Sequence, residues 1–85
     1  MKEAYLIFNE TTESYILYNS KDKNPNSRID LGIYDASGLV NEIRGRYDPK
    51  RNTLIHVVGL EAKVIIRLRD IFNGSKVVIQ EDKRD

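Results

Sequence analysis

The chain has no cysteine and no tryptophan, one histidine, one methionine and two prolines among 85 residues. Without cysteine there are no disulfides, no thiol nucleophile and no thiolate metal site. With His56 alone, no His/Cys metal cluster is available. A carboxylate-only site would have to be assembled from turn acids such as Asp35, Asp48 and Asp70, which read as structural acceptors. Charge of one sign is also scarce. The net charge is +1, so no general attraction to nucleic acid or to a membrane surface is implied. Apolar runs are far shorter than a bilayer span, and the opening MKEAYLIFNE lacks a signal-peptide pattern. These features together lead us to expect a cytoplasmic protein.

The chain does hold 40% hydrophobic and 32% charged residues, the balance of a globular domain. At this length one domain is expected, spanning residues 1–85. AYLIF and SYILY are β-prone runs joined by the polar link NETTE, which gives an N-terminal hairpin over 4–18. NSKDKNPNS, residues 19–27, reads as an exposed loop. RIDLGIY is another strand, and DASG suits a type I turn running into a bulge. In LVNEIRGRY, Gly45 argues against a helix. As a strand, it places Leu39, Ile43 and Tyr47 on one face and Glu42, Arg44 and Arg46 on the other. Asp48, Pro49 and Asn52 make DPKRN a turn, and TLIHVV resumes as a strand.

Residues 60–72 admit two readings. On a helical wheel Leu60, Val64, Ile65, Leu68, Ile71 and Phe72 share a face, with Ile66 stranded opposite. As a strand, Val64, Ile66 and Leu68 alternate with charged residues, leaving Ile65 unexplained. The run Val64-Ile65-Ile66 is β-branched and fits a pleated surface, and no strong N-cap precedes it. On these grounds the strand is preferred. The helical alternative would make Gly59 part of a strand–turn–helix unit, the kind that seats phosphate. A KH-type loop at Gly59-Leu-Glu-Ala62 would need a second glycine where Ala62 stands, and Glu61 would repel phosphate.

With this strand order, residues 31–82 resemble a PRC-barrel domain, the small β-barrel family that includes the C-terminal domain of the ribosome maturation factor RimM. LGIYDASG matches the family's strand and tyrosine-aspartate turn, and RYDPKRNTLIHVVG its hairpin. KVIIRLRDI and GSKVVIQED match its closing strands. The second-strand glycine and the fourth-strand proline of the family have no counterparts here. The expected fold is therefore all-β: a small antiparallel β-barrel over 28–82, preceded by the N-terminal β-hairpin and followed by a polar tail at 83–85. The resemblance implies a non-catalytic protein–protein interaction or adaptor module, by analogy an archaeal cell-division or scaffold component. Its expected partner is another protein or a second copy, with no cofactor and no small-molecule substrate.

Side-chain type supplies the candidate interaction residues. Tyr5, Tyr15 and Tyr18 on the hairpin bring apolar area with a polar tip. Arg44, Arg46, Arg67 and Arg69 would form a basic stripe if their strands faced the same side, which gives a ribosome- or RNA-associated factor as the alternative. His56, between Ile55 and Val57, reads as a structural histidine. Leu54, Ile55, Val57, Val58, Ile65, Val77, Val78 and Ile79 put aliphatic groups on both sides of short strands, of which a small barrel buries one. This calls for cover by the hairpin, a second copy or a partner.

Overall fold

The computed structural model describes residues 1–19 and 25–83. Five strands and two helices run in the order β1 (Lys2–Asn9), β2 (Ser14–Tyr18), β3 (Ile29–Gly32), α1 (Ala36–Arg46), β4 (Thr53–Val58), α2 (Ala62–Ile71) and β5 (Val77–Glu81). The sheet order is β3-β2-β1-β4-β5. β1 and β2 form the expected antiparallel hairpin, with Leu6 opposite Leu17. β1 then pairs in parallel with β4, and β4 in parallel with β5. The hairpin is thus the middle of the sheet, not an addition to it.

The expected all-β barrel is corrected on two points. The sheet is open, with β3 and β5 at its edges, and the segments expected as strands over 39–47 and 60–72 carry helices. Parallel neighbours need a crossover connection, and α2 supplies the one between β4 and β5. Of the loop expected over 19–27, Pro25–Ser27 form a short 3-10 turn, while residues 20–24 lie outside the described residues. Of the tail, residues 84 and 85 do also.

α1 begins where Asp35 accepts a hydrogen bond from the Gly38 amide at 2.7 Å. This N-cap satisfies a donor that the helix leaves open. The aspartate and glycine expected to make a turn therefore start a helix. Leu39, Val40 and Ile43 line its buried side, with Tyr47 just past its end. Gly45 costs the helix about 1 kcal/mol relative to alanine without breaking it, and lies on the outer surface with open space around it.

In α2 the buried residues are Val64, Ile65 and Leu68, with Phe72 at the C-cap, whereas Ile66 is 57% exposed. That is the wheel pattern, not the alternating one. Magnitudes explain the outcome: β-branched residues cost a helix at most about 0.7 kcal/mol each, whereas burying an aliphatic or aromatic side chain contributes about 1.5–3 kcal/mol. Gly59, at φ 76°, makes the turn from β4 that allows α2 to fold back, a conformation that glycine adopts without strain.

Both helices cover one face of the sheet. Their apolar sides join Ala4, Leu6, Leu17, Leu31, Ile55, Val57, Val77 and Ile79 in a single core. The opposite sheet face carries Tyr5 beside His56 and Tyr18, with Leu54 beside Val78.

Candidate interaction surface

His56 is buried, its Nδ1 lies 2.9 Å from Asp82 Oδ2, and its Nε2 lies 3.2 Å from Glu3 Oε1. The Tyr5 ring stacks on it at 4.3 Å with the planes 3° apart. Both ring nitrogens are therefore occupied, and they point to carboxylates on opposite sides. One metal ion cannot bind both nitrogens of a single ring. The geometry is that of a staple joining β1, β4 and the residue after β5. Among the described residues no group of three or more His, Cys, Asp or Glu is arranged to hold a metal ion.

The candidates named from the sequence do not converge. Tyr5 is buried under the His56 stack. Tyr15 is half-buried and tilts against Phe8 at 5.0 Å, while Tyr18 is half-buried on the helix-free face. The four arginines are divided between two helices, whose faces separate them. Arg46 pairs with Glu42 at 2.9 Å on α1, and Arg44, two positions earlier, projects from a different side of that helix. Arg67 Nη1 donates to Ser37 Oγ at 3.0 Å, toward α1. Arg69 Nε donates to Ile79 O at 3.5 Å, toward β5. The basic stripe requires strand alternation and is not formed.

Clefts among the described residues differ in what they could hold. One of about 190 Å³, lined by Phe8, Glu10, Tyr15, Gly59, Leu60 and Glu61, sits beside the start of α2. Helix N-termini in this position hold phosphate in many α/β folds, yet the charged groups here are Glu10 and Glu61, which repel an anion. A second, of about 310 Å³, gathers Lys2, Arg46 and Arg51 around Tyr47, Asp48 and Thr53. Its cations are interleaved with acids: Asp48 lies within the cleft and Glu42 engages Arg46. A third, of about 290 Å³, is a groove between α1 and α2 lined by Ser37, Val40, Asn41, Arg67, Asp70 and Ile71.

Tyr47, in the second cleft, has its hydroxyl pKa pushed up to about 12, by burial foremost, with Arg46 opposing. An unfolded tyrosine ionises near 10. Since the folded value is the higher one, its contribution to stability is intact below pH 10. That contribution is lost as pH rises from about 10 toward 12. A tyrosinate absorbance step near pH 12 is expected in the wild type and should be missing from Tyr47→Phe.

The surface that stands out lies where β3 hands over to α1. Ile33 is 74% exposed and Tyr34 is 37% exposed, although neither projects from a strand. The segment is held on both sides, by buried Leu31 before it and by the Asp35 cap after it. The Tyr34 ring runs past Gly32 and Gly38: a Cβ at Gly38 would stand 3.3 Å from Tyr34 Cδ1, and one at Gly32 3.8 Å from Cε2. Gly38 thus leaves room for the ring and for the Asp35 cap, while Gly32, at φ 87°, turns the chain out of β3. A single strand over RIDLGIY conceals this pair, because alternation would bury one of its members.

No family model, curated protein or solved structure matches the chain. Among the described residues no helix is long and apolar enough to cross a membrane.

Proposed function

We propose that this chain is a non-catalytic protein-interaction module that docks a partner through the lip formed by Ile33 and Tyr34. The observation that carries the proposal is the pair of consecutive, exposed, large apolar side chains on a turn anchored at both ends. Interface hot spots favour aromatic residues that enter a pocket with little conformational entropy left to lose. Tyr34, packed close over Gly38, meets that description. The groove between α1 and α2 includes Ser37, three residues after Tyr34, with Val40 and Ile71 to receive apolar groups and Asn41 and Asp70 as a polar rim.

The finer reading, an adaptor of the archaeal cell-division or scaffold kind acting in the cytoplasm, comes from the PRC-barrel resemblance alone, two of whose expected strands are helices here. The lip supports the class without depending on that family. Enzymatic function finds no support in a histidine with both nitrogens engaged.

The test is capture of partners from the source cell with wild-type and Ile33→Asp proteins. A partner retained by the first and lost by the second is the expected result. Equal capture by both, or none by either, would remove the lip from consideration.

A further inference from the structure

β5 ends the sheet, and its outer backbone edge is bordered in an unusual way. Lys76 O accepts from Thr53 N, and Asp82 N donates to Val57 O, so both turn their backbone toward β4. Strand alternation then directs the backbone groups of Val77, Ile79 and Glu81 outward. Two of these groups hold side-chain partners: Val77 N donates to Ser75 Oγ at 3.1 Å, and Ile79 O accepts from Arg69 at the long distance of 3.5 Å. Ile66 lies one helical turn from Arg69 and so on the side of α2 that overhangs this edge. It is 57% exposed, and Val78 on the other face of β5 is 56% exposed. Natural edges are usually blunted by charge, proline or a bulge. This one has its charged residues, Lys76, Glu81 and Asp82, at the two ends of the strand, with exposed Val78 between them.

We propose that β5 is the seam of a homodimer, pairing antiparallel with β5 of a second copy about a two-fold axis at Ile79. The inference deepens the interaction-module reading by naming a second copy as one partner. It uses the opposite edge of the sheet from the Ile33–Tyr34 lip. A two-fold axis perpendicular to the sheet keeps helix faces together, so opposed residues must share a face. Full overlap of Val77–Glu81 then sets Ile79 against itself, Val78 against Gln80, and Lys76 against Asp82. The last pair has opposite charges on one face of a sheet, a favourable cross-strand arrangement, with Asp82 Oδ2 kept on His56 and Oδ1, which accepts from Gln80 in the single chain, turned to the lysine. Sliding the register by two residues either way sets Lys76 against Gln80 or Asp82 against Val78 and loses that pair. The strand is thus charge-complementary to itself in the register that also gives the greatest overlap. The Arg69 and Ser75 contacts give way to backbone pairing. The displaced arginines then flank the axis, where Glu81 of each copy lies on the same face.

Sedimentation velocity over a wide concentration range tests the seam. The wild type should show a reversible dimer. Glu81→Pro removes an outward amide without touching the β4 ladder, a position where edge strands tolerate proline. It should weaken dimerisation by about tenfold or more while keeping the far-ultraviolet spectrum. Lys76→Glu, which faces Asp82 with a like charge, should weaken it as well. In the cysteine-free background, Val78→Cys combined with Gln80→Cys should yield a covalent dimer on oxidation, because such non-hydrogen-bonded pairs lie about 4.5 Å apart at Cα. A monomer at every concentration overturns the proposal. So does a dimer indifferent to Glu81→Pro that fails to cross-link. Either result leaves Ile33-dependent partner capture intact, so failure of the seam is distinguishable from failure of the lip.

Discussion

Ile65→Ala is expected to lower stability by about 2–5 kcal/mol, and its neighbour Ile66→Ala by less than about 0.5 kcal/mol. The two residues have the same side chain and adjoin in sequence, so propensity and composition cancel in the comparison. Only the direction in which each points remains. Ile65 is 4% exposed within the core, against Ile66 at 57%. Truncating the first leaves a cavity between α2 and the sheet, since neighbouring core groups relax only in part. Truncating the second removes methyl groups already in water. In a strand that buries Val64, Ile66 and Leu68 the order would reverse. Chemical denaturation of the two variants therefore reads out the architecture of 62–71 directly, and equal or inverted losses would contradict it.

Removal of residues 1–18 is expected to abolish folding. β1 is hydrogen-bonded on both sides, to β2 and to β4, and Ala4, Leu6 and Leu17 are almost wholly buried. Tyr5 and Glu3 also supply two of the contacts around His56. A domain of this size has a net stability of about 5–15 kcal/mol. Losing several core side chains at about 1.5–3 kcal/mol each removes that margin, and the helices lose the centre of the surface they pack on. Circular dichroism of residues 19–85 should show a coil. A folded, cooperative fragment would mean that the hairpin is an accessory, as a self-contained barrel over 28–82 requires.

Both expectations turn on features that differ in how legible they are from sequence. Strands β1, β2, β4 and β5 announce themselves through short β-branched and aromatic runs bounded by turn residues, and their ends fall close to those expected. Asp35 and Gly38 do interact, as the DASG pattern suggests, but an aspartate accepting an amide three residues on serves a turn and a helix N-cap equally. The residues after Gly38 decide between the two. In α1 the deciding signal is the helical spacing of Leu39, Val40, Ile43 and Tyr47, which Gly45 obscures. In α2 the stranded Ile66 looks like an objection to a helix, yet it is simply a surface residue. Parallel pairing of β1 with β4 has no local signature, because it joins segments some fifty residues apart. The candidate site suffers accordingly. Arginines grouped by strand alternation scatter on helices, and the exposure of Ile33 and Tyr34 becomes visible only once β3 stops at Gly32.

The lip is tested most directly by placing a photo-crosslinking amino acid at Ile33 in the source cell and, as a control, at exposed Lys50 at the other end of the parallel strands. A discrete covalent adduct with another protein from position 33, absent from position 50, is the predicted result. No adduct from either position, or the same adducts from both, would contradict docking through Ile33 and Tyr34.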